Sequence, residues 1–270
     1  MNMDERLSYR LSYLFGNAAF SKMRDFVDKR TLFAFDLDGT LAPIVPNPCA
    51  IGIPEAIRQE LTLLNDQAIV AVITGRSCSD ALHHLGLSPR YLIGNHGAEG
   101  LPGWKDREQV FSIIADQWQS QLDKLLPIDN RDGIMIENKG VTLSIHYRHV
   151  CNHKSAHQMI LQAIRELNPQ PRRVGGQFIE NLIPEGAPDK GMALRTLMNQ
   201  SGCPKGFFVG DDETDEDVFR LSDENLFSVR VGRKISTQAR FYLRGQNEIN
   251  RLLREINLAL GARSQRNSRQ

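Results

Sequence analysis

Short apolar runs alternate along this chain with segments of helical periodicity, and this alternation limits the possible folds more than any other feature. Apolar runs at residues 32–35, 68–73 and 91–94 are separated by helical patterns, the first of them near 55–66. Strands and helices that alternate in this way form doubly wound parallel sheets with helices on both faces. The sequence therefore predicts an α/β protein with a Rossmann-like core.

The pattern changes between residues 101 and 186. Helices are predicted there near 107–126 and 153–167, and strands at 134–138, 141–147, 172–176 and 177–184. Two helices, each linked to a pair of strands by hairpin-like turns, indicate a small α+β module. The α/β pattern then returns with a helix near 190–200, strands at 206–210 and 226–231 and a helix at 247–260. We therefore expect a core made of residues 1–100 and 187–270, with residues 101–186 as an inserted domain.

The two ends of the chain carry different patterns. Leu7, Leu11 and Leu14 recur at helical spacing, so an N-terminal helix is predicted within residues 1–25. Residues 262–270 contain three arginines and no acid, and we expect this tail to be frayed.

Composition and charge exclude several classes of protein. With 41% hydrophobic and 24% charged residues, the chain is typical of folded globular proteins and not of disordered ones. A formal net charge of +1 gives no basis for binding nucleic acid or an acidic membrane surface. No apolar stretch reaches the length of about 18 residues that a membrane helix needs, and the four cysteines include no CxxC pair. We expect a cytoplasmic monomer without nucleic-acid or membrane partners.

Two aspartates stand one residue apart where the first apolar run ends, in the sequence FDLDGT. Strand geometry points Asp36 and Asp38 to the same side of the chain. Two carboxylates so close together are costly unless one binds a proton or a cation lies between them. The pair therefore indicates acid/base or metal chemistry.

A block of acids follows the predicted strand at 206–210. Six of the seven residues 211–217 are acidic. The preference of acids for a helix N-terminus explains the later ones but not Asp211 and Asp212 at the strand end. Because the carboxyl ends of parallel strands line one crevice, we expect these two to face the same crevice as Asp36. Oxygen ligands without nitrogen or sulfur favour Mg²⁺, which often bridges to a phosphate.

Residues suited to a phosphate follow two other elements. Thr74 offers a hydroxyl and Gly75 an unhindered amide after the run at 68–73. Lys190 places a positive charge at the start of a helix, where anions bind readily. Taken singly, Thr74 is more often a turn residue and Lys190 a surface lysine. Together with the acids they provide the parts of a phosphoryl-transfer site.

Two further patterns suggest sites that we do not predict. His149, His153 and His157 are spaced four apart, as zinc ligands on a helix could be. That stretch crosses from a strand end into a helix and has no clear fourth ligand. The glycines near Asn95 and Gly97 lack the spacing of a dinucleotide-binding loop and follow the third strand, not the first.

Four motifs, in the same order, resemble those of the haloacid dehalogenase superfamily of phosphatases. They are FDLDGTL at 35–41, TGR at 74–76, Lys190-Gly191 and GDDETDE at 210–216. Other stretches are similar to the trehalose-6-phosphate phosphatase family. These are NHGAE at 95–99, ENKG at 137–140, HYR at 146–148, Glu180 and PEGAPDKG at 184–191. The resemblance spans residues 31–245 and leaves both ends of the chain unexplained.

The resemblance implies a Mg²⁺-dependent hydrolase of trehalose 6-phosphate, which carries out the final step of trehalose biosynthesis. Asp36 would be the nucleophile that forms an aspartyl-phosphate, and Asp38 the general acid and base. The implied metal-site residues are Asp36, Asp38, Asp211, Asp212 and Asp215, and the implied phosphate-binding residues are Thr74, Gly75 and Lys190. The implied sugar-binding residues are Asn95, His96, Gly97, Glu99, Glu137, Lys139, His146, Arg148 and Glu180. The inserted module would be the cap that excludes water and determines specificity.

Other functions remain open from the sequence. The same chemistry could serve another sugar phosphate, such as sucrose 6-phosphate or mannosyl-3-phosphoglycerate. A silent sugar-phosphate-binding domain is a further alternative, although such domains usually lose an acid that this chain keeps. Glu137 and Lys139 could also be an ordinary surface ion pair beside a hairpin turn.

Overall fold

The computed structural model describes residues 11–45, 51–127 and 131–267. Chain contacts divide the protein into two units. The first unit takes in the chain up to Ile73, Leu82–Leu92 and the chain from Lys190 onward, and the second takes in Thr74–Ala81 and Ile93–Asp189. The functional domains expected from the sequence, a core of 1–100 and 187–270 and a cap of 101–186, stay a prediction.

The described residues form eleven strands and eight α-helices. The strands are β1 (Ser12–Tyr13), β2 (Thr31–Phe35), β3 (Ile69–Ile73), β4 (Tyr91–Ile93), β5 (Met135–Asn138), β6 (Leu143–His146), β7 (Arg172–Gly176), β8 (Ile179–Ile183), β9 (Lys205–Gly210), β10 (Leu226–Val231) and β11 (Phe241–Leu243). The helices are α1 (Asn17–Phe26), α2 (Glu55–Gln67), α3 (Cys78–Leu85), α4 (Lys105–Leu125), α5 (His153–Arg165), α6 (Lys190–Ser201), α7 (Glu216–Phe219) and α8 (Ile249–Asn267). None of these helices combines the length and the apolar character that crossing a membrane requires.

A seven-stranded sheet has the order β1-β11-β10-β9-β2-β3-β4. The chain runs outward in one direction from β2 through β3 to β4, and in the other direction from β9 through β10 to β11. The strand order therefore reverses between β2 and β9, which pair in parallel. Ligands of doubly wound sheets bind at such a switch point, beyond the carboxyl ends of the strands. The predicted α/β class is confirmed, and Asp36 and Asp211 follow the two strands at the switch point.

The centre of this sheet is apolar on both faces. All five residues of β2 are buried, and the ring of Phe33 lies 5.8 Å from that of Phe207 in β9. Phe207 in turn stacks on Phe227 of β10 at 5.0 Å between ring centroids. A strand buried on both faces needs a continuous apolar run, which is why these strands can be recognised in the sequence.

The second unit contains an antiparallel sheet in the order β5-β6-β8-β7. Residues directly opposite each other share a face, so Glu137 lies beside Ser144, and Ile136 lies beside Ile145 on the other face. Ile145 belongs to a core that includes Trp118 of α4 and residues of α5. The predicted α+β module is therefore confirmed, with its helices packed on the face of Ile145.

The start of the chain differs from the predicted helix. Residues 1–10 of that helix, with Leu7, lie outside the described residues. Strand β1 pairs in parallel with β11, and α1 begins only at Asn17. The prediction of a helix through Leu11 and Leu14 is therefore wrong. Strand pairing at the edge of the sheet and burial of Leu14 outweigh a weak local helix propensity.

The end of the chain also differs. Helix α8 continues to Asn267, so the tail that was predicted to be frayed from residue 262 is helical there. The Arg263 Nη2 atom donates hydrogen bonds to the carbonyl oxygens of Arg24 at 3.0 Å and Asp25 at 2.8 Å. These bonds join α8 to the last turn of α1 and explain the extra length. Residues 268–270 lie outside the described part of the chain.

Candidate active site

Three aspartates of the first unit come together beyond the carboxyl ends of β2 and β9. One carboxylate oxygen each of Asp36, Asp211 and Asp215 lies within 4.8 Å of the others. Asp36 is held at the end of β2 by a hydrogen bond from its backbone N–H to the carbonyl oxygen of Val209, at 2.9 Å. The strand order of the sheet thus assembles carboxylates that lie far apart in the sequence.

Lys190, the first residue of α6, contributes a positive charge to this group. Its Nζ atom lies 2.7 Å from Asp36 Oδ1 and 2.8 Å from Asp215 Oδ1, and all three residues are at most 4% exposed. Burial by itself disfavours the ammonium, but the charges of Asp215 and Asp36 outweigh it and raise the pKa of Lys190. Lys190 is therefore a permanently charged, buried cation.

The carboxylates of the group repel one another. Burial raises the pKa of Asp36 well above its usual range, and Asp215 and Asp211 add to this rise while Lys190 opposes it. Burial, followed by the charge of Asp215, raises the pKa of Asp211 to about 7. A hydrogen bond from Thr40 Oγ1 to Asp211 Oδ1, 3.1 Å long, acts in the opposite direction. A cation bound among these oxygens would offset the repulsion.

Two glycines leave room for the carboxylates. A Cβ atom at Gly39 would lie 2.1 Å from Asp211 Oδ2, and one at Gly210 would lie 2.3 Å from Asp215 Cγ. Gly39 also has a φ of +84°, which a residue with a side chain rarely adopts. Hard divalent cations prefer carboxylate oxygens as ligands, so the side chains of Asp36, Asp211 and Asp215 fit such an ion.

The other two predicted metal-site residues lie differently. The side chain of Asp212 is exposed, and its backbone N–H donates to Asp215 Oδ2 at 2.9 Å. Asp38 is half-buried, two residues beyond Asp36. The structure therefore groups the side chains of Asp36, Asp211 and Asp215. Asp212 instead supports, through its backbone, the acidic loop, which we define as residues 211–215 between β9 and α7.

Thr74 and Gly75 lie in the second unit, in the loop that follows β3. Thr74 is buried, its N–H donates to the Ile93 carbonyl oxygen at 2.9 Å, and its Oγ1 accepts from the Arg76 N–H at 3.3 Å. A Cβ atom at Gly75 would lie 2.5 Å from His96 Cε1, so a glycine is needed for the imidazole to come this close. These contacts determine the shape of the loop that carries the predicted phosphate donors.

Asn95 is the centre of a buried hydrogen-bond network. Its Nδ2 donates to Glu99 Oε2 at 2.7 Å and to the Lys139 carbonyl oxygen at 3.2 Å, and its Oδ1 accepts from Thr142 Oγ1 at 2.6 Å. Glu99 Oε2 also accepts from the Cys78 N–H at 2.9 Å, and burial raises the pKa of Glu99. The side chains of Asn95 and Glu99 are thus engaged in internal contacts that hold the Lys139 hairpin.

His96 and Gly97 lie in a 3-10 turn that follows β4. Both have a positive φ, 60° at His96 and 117° at Gly97. A Cβ atom at Gly97 would lie 2.6 Å from the Asp189 carbonyl oxygen. A glycine at position 97 therefore allows the backbone of this turn to pack closely against Asp189.

Glu137 is the centre of a charged group in the second unit. His146 Nε2 donates to Glu137 Oε2 at 2.7 Å. This hydrogen bond, with the charges of Lys139 and Arg76, outweighs burial and lowers the pKa of Glu137. Lys139 Nζ lies 3.4 Å from the Gly75 carbonyl oxygen. An ionised carboxylate beside an ammonium can accept from and donate to sugar hydroxyls.

Glu180 lies on the opposite face of the same sheet. It pairs with Ile145, on the face that packs against the helices. Its carboxylate accepts hydrogen bonds from His157 Nε2 at 2.7 Å and from Arg173 Nη2 at 3.1 Å. The structure therefore does not bring Glu180 together with Glu137, because adjacent positions of β8 point to opposite faces.

The residues that follow β6 contact different parts of the second unit. Arg148 is exposed, and its carbonyl oxygen lies 3.1 Å from His153 Nε2. The ring of His157 stacks on Tyr147 at 5.2 Å between centroids, with the planes 9° apart. His153 and His157 thus contact different groups.

Thr40 and Arg230 contact the start of the acidic loop, and neither was predicted from the sequence. Thr40 bonds to Asp211, and Arg230 of β10 bonds to the backbone of the same loop. Thr40 follows directly after the paired aspartates, so its position was an available signal. For Arg230 the only signal was a lone charge within an apolar run, residues 226–231.

Comparison with known protein sequences gives a consistent family match. A family model described as Trehalose-phosphatase matches residues 34–247. The chain is 33% identical over 242 residues to the trehalose-6-phosphate phosphatase of Escherichia coli (strain K12). That alignment covers 86% of this chain and 89% of the E. coli protein.

Solved structures show the same fold. A crystal structure of a trehalose-6-phosphate phosphatase related protein matches with a TM-score of 0.66 at 25% identity, over 86% of this chain and 99% of the other. A haloacid dehalogenase-like hydrolase from Bacteroides thetaiotaomicron has a TM-score of 0.56 at 14% identity, over 84% of this chain and 99% of its own. The chain thus shares the haloacid dehalogenase fold with these solved structures.

Proposed function

Because this chain belongs to the trehalose-phosphatase family, we propose that it hydrolyses trehalose 6-phosphate through an aspartyl-phosphate at Asp36, with Mg²⁺ as its metal ion. The observation that carries this proposal is the group of Asp36, Asp211 and Asp215 around Lys190. A carboxylate nucleophile, a buried cation and oxygen ligands for a hard metal ion are the parts that phosphoryl transfer requires.

Asp36 attacks the phosphorus atom. Lys190 binds its Oδ1, and Oδ2 forms the new bond to phosphorus while the bond to the sugar oxygen breaks. The product of this step is an acyl phosphate, and water then attacks its phosphorus to regenerate the carboxylate. Lys190 favours the ionised form of Asp36 that this attack requires, although burial opposes it.

Asp38 carries out the two proton transfers. It protonates the sugar oxygen as this oxygen departs, and it then takes a proton from the attacking water. A half-buried position two residues from Asp36 suits a group that contacts both the substrate and water. Each proton taken from water replaces the one given to the sugar, so Asp38 is restored after every turnover.

The acidic residues hold the metal ion. Asp36, the backbone carbonyl of Asp38 and Asp211 would hold it, and Asp212 or Asp215 would orient water molecules beside it. When bound, Mg²⁺ offsets negative charge, so that an anionic carboxylate can approach an anionic phosphate. Lys190 supports this arrangement because it binds Asp36 and Asp215 at the same time.

Residues of the second unit bind the rest of the substrate. Thr74 and Gly75 are proposed as donors to the phosphate oxygens, and the same role is proposed for Lys190. Glu137 and Lys139 bind sugar hydroxyls, supported by His146, Arg148 and the backbone of His96 and Gly97. Asn95 and Glu99 do not bind the sugar directly but position Lys139, since Asn95 bonds to the carbonyl oxygen of Lys139 and to Glu99. Glu180 supports the sheet through its bonds to helix α5 and to Arg173.

The proposed setting rests on the composition of the chain for the compartment and on the family match for the biosynthetic step. We place the enzyme in the cytoplasm as a monomer that binds a small sugar phosphate and serves the last step of trehalose synthesis. The near-neutral charge supports a small-molecule substrate over a nucleic acid.

Phosphate release from a panel of substrates tests this function. The panel contains trehalose 6-phosphate, sucrose 6-phosphate and mannosyl-3-phosphoglycerate, each with Mg²⁺ and with EDTA. We expect the highest kcat/KM for trehalose 6-phosphate and no turnover in EDTA. A higher kcat/KM for another sugar phosphate would assign that substrate to the same chemistry. No release from any of them would favour a silent sugar-phosphate-binding domain.

A further inference from the structure

Arg230 binds the backbone of the acidic loop that follows β9. It pairs with Gly210 across β10 and β9, and its side chain is 9% exposed. Its Nη2 donates to the carbonyl oxygen of Asp211, and its Nη1 donates to that of Asp212 at 3.1 Å. One guanidinium group therefore holds two consecutive carbonyls at the point where the chain leaves the sheet.

Glu216 fixes the position of Arg230. Its Oε1 accepts from Arg230 Nη1 at 3.2 Å and from Thr237 Oγ1 at 2.6 Å, and its Oε2 accepts from the Gln238 N–H at 2.9 Å. The residue is 3% exposed. A buried carboxylate with three donors has little freedom to move. Arg230 thus connects the first residue of the acidic loop, Asp211, to Glu216 at the start of α7.

Two members of the carboxylate group lie in this loop. Asp211 and Asp215 have oxygens within 4.8 Å of each other and of Asp36. Like charges at this distance favour separation, so a loop free to relax would move the Asp211 carboxylate outward. Arg230 opposes this movement, since it fixes the peptide groups that follow Asp211 and Asp212. The direction of the Asp211 side chain depends on those peptide groups.

We propose that Arg230 is a positioning residue that holds Asp211 in its metal-binding orientation through the carbonyls of Asp211 and Asp212. This role rests on the proposed function, because it takes Asp211 as a metal ligand. The hydrogen bonds of Arg230 go to two backbone carbonyls and to Glu216, and not to the carboxylates of Asp36, Asp211 and Asp215. Loss of outer contacts at metal sites typically weakens metal binding by roughly 10- to 100-fold. Loss of Arg230 therefore lowers the affinity for Mg²⁺, and saturating Mg²⁺ restores most of kcat.

Three variants separate this role from a purely structural one. Arg230→Met keeps the apolar stem and removes the donors, whereas Arg230→Lys keeps the charge without the planar fork that holds two carbonyls. Arg240→Met is the matched control, because Arg240 Nη2 donates to the carbonyl oxygen of Asp223, outside the acidic loop, at 2.8 Å. Isothermal titration calorimetry on EDTA-treated protein gives the Kd for Mg²⁺, and phosphate release at increasing Mg²⁺ gives kcat. Melting temperatures report the structural effect separately.

The expected result is a Kd for Mg²⁺ raised about 10-fold or more in Arg230→Met and by a smaller factor in Arg230→Lys. Arg240→Met leaves the Kd unchanged. A lowered melting temperature with an unchanged Kd in Arg230→Met would overturn the proposal, and so would an unchanged Kd in Arg230→Lys if Arg230→Met does not fold. A wild-type protein that binds no Mg²⁺ would instead overturn the proposed metal requirement, and the role of Arg230 with it.

Discussion

The Lys190 Nζ atom lies 2.7 Å from Asp36 Oδ1, and both residues are almost completely buried. The two groups form a charge-assisted hydrogen bond inside the protein, stronger than one between neutral groups. Because Lys190 also bonds to Asp215 at 2.8 Å, it links the strand that carries the nucleophile to the acidic loop. The ammonium thus favours an ionised Asp36, as an attack on phosphorus requires.

The first prediction concerns this nucleophile. Asp36→Asn keeps the shape of the side chain but cannot form an acyl phosphate. We expect kcat to fall by more than the roughly 10²–10⁴-fold that general acid/base catalysis contributes. Asp28→Asn is the control, since Asp28 pairs with Lys205 at 2.8 Å and lies outside the carboxylate group. Phosphate release and circular dichroism give activity and fold, and substantial activity in Asp36→Asn would exclude a covalent mechanism.

The metal ion should stabilise the protein most at alkaline pH. Burial and Asp215 raise the pKa of Asp211 from 3.8 to about 7. Between these two values the folded protein binds more protons than the unfolded chain, so the free energy of unfolding of the metal-free protein falls as the pH rises. Mg²⁺ binds the folded state and offsets this loss by mass action. We therefore expect the rise in Tm caused by Mg²⁺ to be larger at about pH 8 than at about pH 6.

Differential scanning calorimetry with Mg²⁺ or EDTA measures this difference. Asp211→Asn removes the titrating group, so the metal-free stability of that variant should depend less on pH. A rise in Tm that is equal at both pH values in the wild type would contradict the raised pKa of Asp211.

A third prediction concerns sugar recognition. The double variant Glu137→Ala/Lys139→Ala removes an acceptor and a donor from the second unit. If these residues bind the glucose units, kcat/KM for trehalose 6-phosphate should fall by about 10²-fold or more, because remote binding energy is lost. Hydrolysis of p-nitrophenyl phosphate, which has no sugar, should stay nearly unchanged. The quantity to measure is the ratio of the two kcat/KM values.

The control for this ratio is a surface ion pair of the same unit. Arg131 and Asp123 lie 3.1 Å apart, and Asp123→Ala/Arg131→Ala should leave the ratio at the wild-type value. A ratio that the Glu137/Lys139 variant does not change would place sugar specificity in other residues.

The fourth prediction compares two cysteines. Burial, followed by the charge of Glu99, raises the pKa of the Cys78 thiol to about 12, whereas Cys151 is exposed. Since the thiolate is the reactive form, iodoacetamide at neutral pH should modify Cys151 well before Cys78 in the folded protein. Peptide mass spectrometry after timed labelling gives both rates. Equal rates in the native protein would argue against the buried environment of Cys78.

The central part of the site could be predicted because its signals are local. Asp36 and Asp211 each follow a continuous apolar run, and such runs identify strands buried on both faces. The parallel arrangement then brings strand ends to one edge of the sheet. In contrast, strand β1 depends on pairing with β11, far away in the sequence, and no local pattern indicates that pairing.

Side-chain direction and backbone contacts were harder to predict. The face on which Glu180 lies depends on the register of β8, where a shift of one residue would exchange the two faces. Asp212 looked equivalent to Asp211, but neighbouring residues at a strand end point different ways. Arg230 contacts two carbonyl oxygens, which every residue has, and its acidic partner Glu216 is one of six acids in residues 211–217, so the sequence does not single out these partners.

The stereochemistry at phosphorus tests the covalent mechanism most directly. Trehalose 6-phosphate can be made chiral at phosphorus with sulfur and one heavy oxygen isotope, and then hydrolysed in water that carries a third isotope. Two in-line displacements, first by Asp36 and then by water, invert the phosphorus twice. We therefore predict that the released thiophosphate retains its configuration. Inversion would show that water attacks the substrate in a single step, and it would contradict an aspartyl-phosphate at Asp36.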